Sequence, residues 1–172
     1  MSSKEKCALE IERKYIIKMP DVATLSMQES YSSSEILQIY LPSEQGETRR
    51  VRRRAYADHI QYTETVKLRV DKMSSEEREV EISAEQFATL SEKIKEGTRP
   101  LNKNRHTFIY LGQLFEIDIY PEWQHTAIME TELPSRDKEV AMPPFISIIK
   151  EVTGDKAYSN AAMSRSFPKE ET

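Results

Sequence analysis

Arg50, Arg52 and Arg54 stand two residues apart in "RRVRRR", and Glu77, Glu79 and Glu81 stand two apart in "EEREVEI". The same spacing recurs in Glu10, Glu12 and Lys14 of "ALEIERKYIIK", Lys67 and Arg69 of "TVKLRV", and Lys103 and Arg105 of "NKNRHT". It recurs again in Glu116 and Asp118 of "LFEIDIY" and in Glu130 and Glu132 of "IMETEL". Alternate residues of a strand share a face, so each segment has one face of charges and one that is apolar or mixed. A solvated sheet face ordinarily mixes signs and neutral polar residues. Like charges side by side repel, so nothing local favours these rows. A shared ligand would. Rows of Arg and Lys suit a polyanion with several phosphoryl groups, through forked guanidinium contacts and ammonium point charges. Carboxylates suit Mg²⁺ or Mn²⁺, which phosphate also ligates. Acid and base together specify a metal–polyphosphate complex, with Glu10 and Glu12 toward metal and Lys14 toward phosphate.

The elements that must position these groups are strands in consecutive antiparallel order. "CALEIERKYII", "SEILQIYLPS", "TRRVRRRAY", "HIQYTETVKLRV", "EREVEIS", "LNKNRHTFIYLG", "QLFEIDIYPE" and "AIMETELPS" alternate and carry turn signals between them. Asp21 is placed to cap a short helix in "DVATLSMQES", and Ser83 with Gln86 to cap a second in "SAEQFATLSEKIKEG", stopped at Gly97. "PPFISIIKEVTG" reads as a third helix, "DKAYSNAAMSRS" as helical or irregular, and "FPKEET" as a frayed end. The fold expected is α+β: a closed eight-stranded antiparallel β-barrel with a charged interior and flanking helices. Closure removes sheet edges, and eight strands can enclose one ligand. The apolar core would lie outside the barrel wall, under helices around Phe87 and Ile148.

The chain has 172 residues and formal charge −4, with 31% charged and 38% hydrophobic residues. One domain, residues 1–172, is expected, with no further domain encoded and no general attraction to nucleic acid or anionic membranes. A single cysteine, Cys7, excludes an internal disulfide and a cysteine zinc site. No apolar run suits a signal peptide or a membrane span, so a cytoplasmic protein is expected. Four glycines form no phosphate loop, so phosphate must be handled by side chains. The scattered His59, His106 and His125 and the residue Trp123 read as structural.

"EIERKY" resembles the ExExK signature of the triphosphate tunnel metalloenzymes, the CYTH superfamily. "RVR", "TVKL", "EREVEI", "KNR", "FEIDIY", "METEL" and "EVTGDKAYSN" follow in family order, over about residues 8–163. The resemblance implies an eight-stranded tunnel that hydrolyses or cyclises triphosphates with a divalent cation, Mg²⁺ or Mn²⁺. It implies metal ligands among Glu10, Glu12, Glu79, Glu81, Asp118, Glu130 and Glu132. It implies substrate contacts from Lys14, Arg50, Arg52, Arg54, Lys67, Lys103 and Arg105. Lys156 falls in the C-terminal segment that closes the tunnel in similar proteins, and joins Glu10 and Glu12 as a catalytic candidate. The implied activity is cleavage of inorganic tripolyphosphate to pyrophosphate and phosphate, by a monomer or homodimer. The alternatives are a nucleoside or thiamine triphosphatase, an adenylate cyclase, and a polyphosphate- or nucleotide-binding module without turnover. The N-terminus lacks the His-Phe element of the cyclase-type members.

Overall fold

In the computed structural model, which describes residues 6–171, eight strands close on themselves. They are β1 (Lys6–Lys18), β2 (Glu29–Leu41), β3 (Glu47–Ala55), β4 (Ile60–Arg69), β5 (Ser74–Glu81), β6 (Leu101–Tyr110), β7 (Gln113–Ile119) and β8 (Thr126–Glu132). The order around the barrel is β5-β4-β3-β2-β6-β7-β8-β1, and β5 pairs with β1 to close it. Every pairing is antiparallel.

Register fixes which side chains share the inner face. Arg50 lies opposite Tyr40 and Thr65, and Arg52 opposite Gln38 and Thr63. Lys67 lies opposite Glu77, Arg105 opposite Asp118, Lys14 opposite Glu130, and Glu12 opposite Glu132. Residues directly opposite point to the same side of a sheet. The charged faces of the strands are therefore one continuous inner wall.

The apolar faces point outward into covering segments. Tyr15, Ile17, Phe108, Phe115, Ile117 and Met129 form the largest core, closed by Leu25 of α1 (Val22–Ser26) and by Phe145 and Ile146. A smaller cluster of Ile39, Leu41 and Val51 packs against Phe87 and Leu90 of α2 (Ala84–Ser91). Asp21 caps α1, and Ser83 and Gln86 make the expected capping box on α2.

The structure departs from the sequence reading in three segments. "PPFISIIKEVTG" is not a helix; Ile148–Glu151 is a ninth strand, β9, beside β1. One edge of β1 is taken by β5 only over residues 6–11, and β9 occupies the same edge at residues 15–17. An unpaired strand edge outcompetes local helix propensity here. Ile148 is consequently half-exposed and not a core residue. The helix expected from Ser83 to Gly97 ends at Ser91, because the chain turns to bond the Lys95 amide to the Tyr40 carbonyl. The end of the chain is held rather than frayed: Trp123 Nε1 donates to the Pro168 carbonyl, and the His125 and Thr126 amides donate to the Glu170 carboxylate.

That held tail belongs to a segment covering one end of the barrel. Beyond β9 come a 3₁₀ turn (Lys156–Tyr158) and α3 (Asn160–Met163). Val152, Tyr158 and Met163 pack on Ile16, Leu101, Tyr120 and Ile128, with Trp123 and Phe167 around them. Ile16, Leu101 and Ile128 belong to the inner-facing rows, so the charged interior ends here on an apolar floor. No helix among the described residues is long and apolar enough to cross a membrane.

Candidate active site

Above this floor lies a cavity of about 890 Å³. That is in the range of roughly 300–1,000 Å³ usual for small-molecule sites. Its wall is divided by charge. β3 supplies Arg50, Arg52 and Arg54 to one side; β1 and β8 supply Glu10, Glu12, Glu130 and Glu132 to the other. Lys67, Glu77, Glu79, Arg105 and Glu116 stand between.

The three arginines hold no carboxylate at ion-pair distance among the described residues. Arg52 donates through Nε and Nη2 to the Gln38 amide oxygen, at 3.0 and 2.6 Å, and Arg54 donates to Ser34 Oγ. Arg50 Nε is buried without a partner. Burial, Arg50 and Arg105 all disfavour the Arg52 charge and lower its pKa. These are cations brought together against their own repulsion. Three other inner bases are neutralised. Lys14 Nζ is 3.0 Å from Glu130, and Lys67 Nζ 3.1 Å from Glu77. Arg105 makes a forked contact to both oxygens of Asp118, at 2.7 and 2.8 Å, and also pairs with Glu116.

The acids face the converse problem. Glu10 is pushed up to about 8 by burial and by the charges of Glu77 and Glu132. Glu12 is raised by Glu130 and by burial. Buried carboxylates that repel one another favour protonation or a cation among them. Glu130 itself stays low: burial would raise it, but Lys14 more than offsets this.

Across solved structures, the chain matches the inorganic triphosphatase NE1496 at 29% identity and TM-score 0.58, covering 93% of this chain and 97% of that one. It matches the PH1819 protein of Pyrococcus horikoshii OT3 at 22% identity and TM-score 0.55, over 74% and 80% of the two chains. It matches HpAC1 from Hippeastrum, a protein with a dominant triphosphatase activity, at 14% identity and TM-score 0.50, over 73% and 80%. The last two likenesses show the fold alone. No family model and no curated protein matches the sequence.

The closed barrel and the likeness to NE1496 are consistent with the CYTH superfamily.

Within this barrel, Glu10, Glu12, Lys14, Arg50, Arg52, Arg54, Lys67, Glu79, Arg105, Glu130, Glu132 and Lys156 all line the cavity. Three residues singled out from the sequence lie elsewhere. Glu81 is exposed at the end of β5. Lys103 and Asp118 are buried beneath the cavity lining, with Lys103 Nζ 2.7 Å from Asp118. Both Asp118 oxygens accept from bases, so this carboxylate is the counter-ion that orients Arg105 and Lys103. Burial would raise Asp118, but Arg105 and Lys103 hold it well below the usual carboxylate range. Burial lowers Lys103 to about 7. Lys103 also lies 3.4 Å from the Asn160 side-chain oxygen, which the Tyr120 hydroxyl bonds at 2.7 Å. Asn160 thereby ties the floor to the buried pair.

Glu77 and Glu116, which share the charged strand faces, also line the cavity. Gln38 and Tyr40 are both buried on the inner wall. Lys95 and Arg165 line the cavity as well. They lie outside the strands, in a loop and after α3, where no strand periodicity could mark them.

Proposed function

We propose that this protein is a divalent-metal-dependent triphosphatase that cleaves inorganic tripolyphosphate to pyrophosphate and phosphate. The observation that carries the reading is the charge-divided cavity: arginines without carboxylate partners face carboxylates that repel one another. Such a wall is complete only with an anion on one side and a cation on the other. The 29% identity with an inorganic triphosphatase, over 93% of the chain, supports the same class.

The donor set fits Mg²⁺ or Mn²⁺, because it consists of carboxylate oxygens with no thiolate or imidazole among them. Among the described residues no three acids, histidines or cysteines already converge into a metal-holding group. The residues that would hold the ion are Glu10, Glu12, Glu130 and Glu132, with Glu79 beside them. When bound, the metal neutralises phosphoryl oxygens and favours formation of hydroxide from water.

The chain's own groups do the rest. Arg50, Arg52 and Arg54 bind successive phosphoryl oxygens with forked contacts, replacing the neutral partners Gln38 and Ser34. Lys14, Lys67 and Arg105 add charge where the row meets the acids. Burial of these donors strengthens each contact and fixes the chain for in-line attack on the terminal phosphorus. Lys156 meets charge that develops on the leaving oxygen. Apart from the buried ring of Tyr40, the lining is charged, polar or small, and offers a nucleobase no surface on which to stack.

Phosphate release tests this reading, with tripolyphosphate, ATP, thiamine triphosphate and pyrophosphate each given with Mg²⁺ and with Mn²⁺. Preference for tripolyphosphate is expected. Equal or faster turnover of an organic triphosphate would move the substrate class, and no release from any would overturn the reading.

A further inference from the structure

Away from the cavity, one part of the outer barrel wall carries charges that the chain itself does not answer. A hollow of about 310 Å³ lies there, lined only by β2, β3, β6, the end of β7 and Pro121. α1 and the 140–146 segment cover the wall on one side of it, over Phe108, Phe115 and Ile117. α2 covers the other side, over Ile39, Leu41 and Val51. Between them, among the described residues, no helix lines the hollow. Its centre is apolar: Leu37 and Ile119 are half-buried and Pro121 is exposed.

Glu35 and Arg53 frame this hollow with opposite charges. In the register of β2 and β3, Arg53 lies opposite Leu37 and Ala55 opposite Glu35. Glu35 and Arg53 are therefore diagonal neighbours on one face, a spacing that long side chains can bridge. Among the described residues neither has an ion-pair partner. The same outer face shows a closed diagonal one strand away, where Arg49 of β3 pairs with Glu64 of β4 at 2.6 Å.

The open diagonal is its own complement. A two-fold axis lying in the interface, along the line from Leu37 to Ala55, lays each of these two residues on its own copy. It exchanges the ends of the other diagonal, so Glu35 meets the partner's Arg53 and Arg53 meets the partner's Glu35. The partner's side chains then enter the hollow, and Leu37 becomes a dry centre between two charge contacts. Asn102 and Asn104, both exposed beside β2, add hydrogen-bonding groups to the rim. An apolar centre with a polar rim is the usual anatomy of a protein interface. We infer that this face joins two copies of the chain in a two-fold dimer, with Glu35 paired to the partner's Arg53 at two equivalent contacts. The inference does not depend on what the cavity hydrolyses.

The test is sedimentation velocity of the full chain over a dilution series, for the wild type, E35R, R53E, an equal mixture of these two variants, and the E35R/R53E double variant. The wild type is expected to be a dimer that dissociates on dilution. E35R and R53E each set like charges face to face at both contacts, and each should weaken association by about tenfold or more. The mixture should recover a dimer, because every contact between the two variants joins an arginine to a glutamate. The double variant should recover it alone, for the same reason. Recovery also shows that the single variants lose the dimer through charge and not through misfolding. A wild type that is monomeric at every concentration would overturn the inference. So would single variants that stay dimeric, or a mixture and a double variant that both stay monomeric.

Discussion

Asp118 shows how a charged residue can serve a site without facing it. Its carboxylate is 1% exposed and accepts from Arg105 and Lys103. Replacing it by Asn removes the carboxylate from buried Lys103 and leaves Arg105 with Glu116 alone, and should destabilise the fold by about 3–5 kcal/mol in urea or thermal unfolding. The sign of the pH effect follows. The folded-state pKa of Asp118 lies below its unfolded value, so its contribution is present above about pH 4 and is lost as pH falls further. Asp118→Asn should flatten that acid limb. Facing the cavity, Glu130→Gln should abolish turnover while the protein still folds, since Lys14 keeps a second partner in the Tyr158 carbonyl at 3.3 Å. Wild-type rate at saturating Mg²⁺ would remove Glu130 from the metal-holding set. Arg52→Ala should weaken tripolyphosphate binding by about 2 kcal/mol, roughly 30-fold, because it deletes a forked donor that no carboxylate satisfies. Unchanged affinity in a calorimetric titration would contradict that role. At this scale the sequence revealed which residues share the inner wall, because strand parity alone decides the face. It could not reveal depth along the barrel. That is why strand parity alone groups Lys103 and Asp118 with the residues that line the cavity.

Elements obeyed local chemistry where nothing tertiary competed with it. The caps at Asp21 and Ser83 formed as their spacing implies. The exceptions are the segments whose partners are distant in sequence. β9 follows two prolines and reads as a helix start, but its backbone finds the free edge of β1 more than 130 residues away. The C-terminal segment reads as helical or irregular, and no more closely, because its apolar residues, Val152, Tyr158, Met163 and Phe167, follow no single period; they are spaced to fit a barrel floor. Its junction with the barrel is tight at Gly154. This residue has φ +75°, and a Cβ would lie 2.9 Å from both the Lys72 Cβ and the Lys72 carbonyl oxygen. Gly154→Ala should therefore cost about 1–3 kcal/mol, from left-handed backbone strain and from overpacking against the β4–β5 turn. The melting temperature reads this directly, and an unchanged value would mean that the two loops separate freely.

For the whole molecule, the central feature is that the packing logic of a globular domain is reversed. The apolar faces of the strands look outward into α1, α2 and the 140–146 segment, while the charges look inward. Folding leaves several carboxylates and arginines close to their own kind, and binding of a metal–triphosphate complex relieves both sets at once. The ligand is thus expected to stabilise the fold as well as to occupy it. The measurement that meets this directly is ³¹P NMR of tripolyphosphate incubated with the purified protein, with Mg²⁺ and with the metal chelated. The expected result is equimolar pyrophosphate and phosphate with Mg²⁺, and intact tripolyphosphate without it. Undiminished cleavage in the chelated sample, or no cleavage in either, would contradict a cavity built to join a divalent metal to a triphosphate.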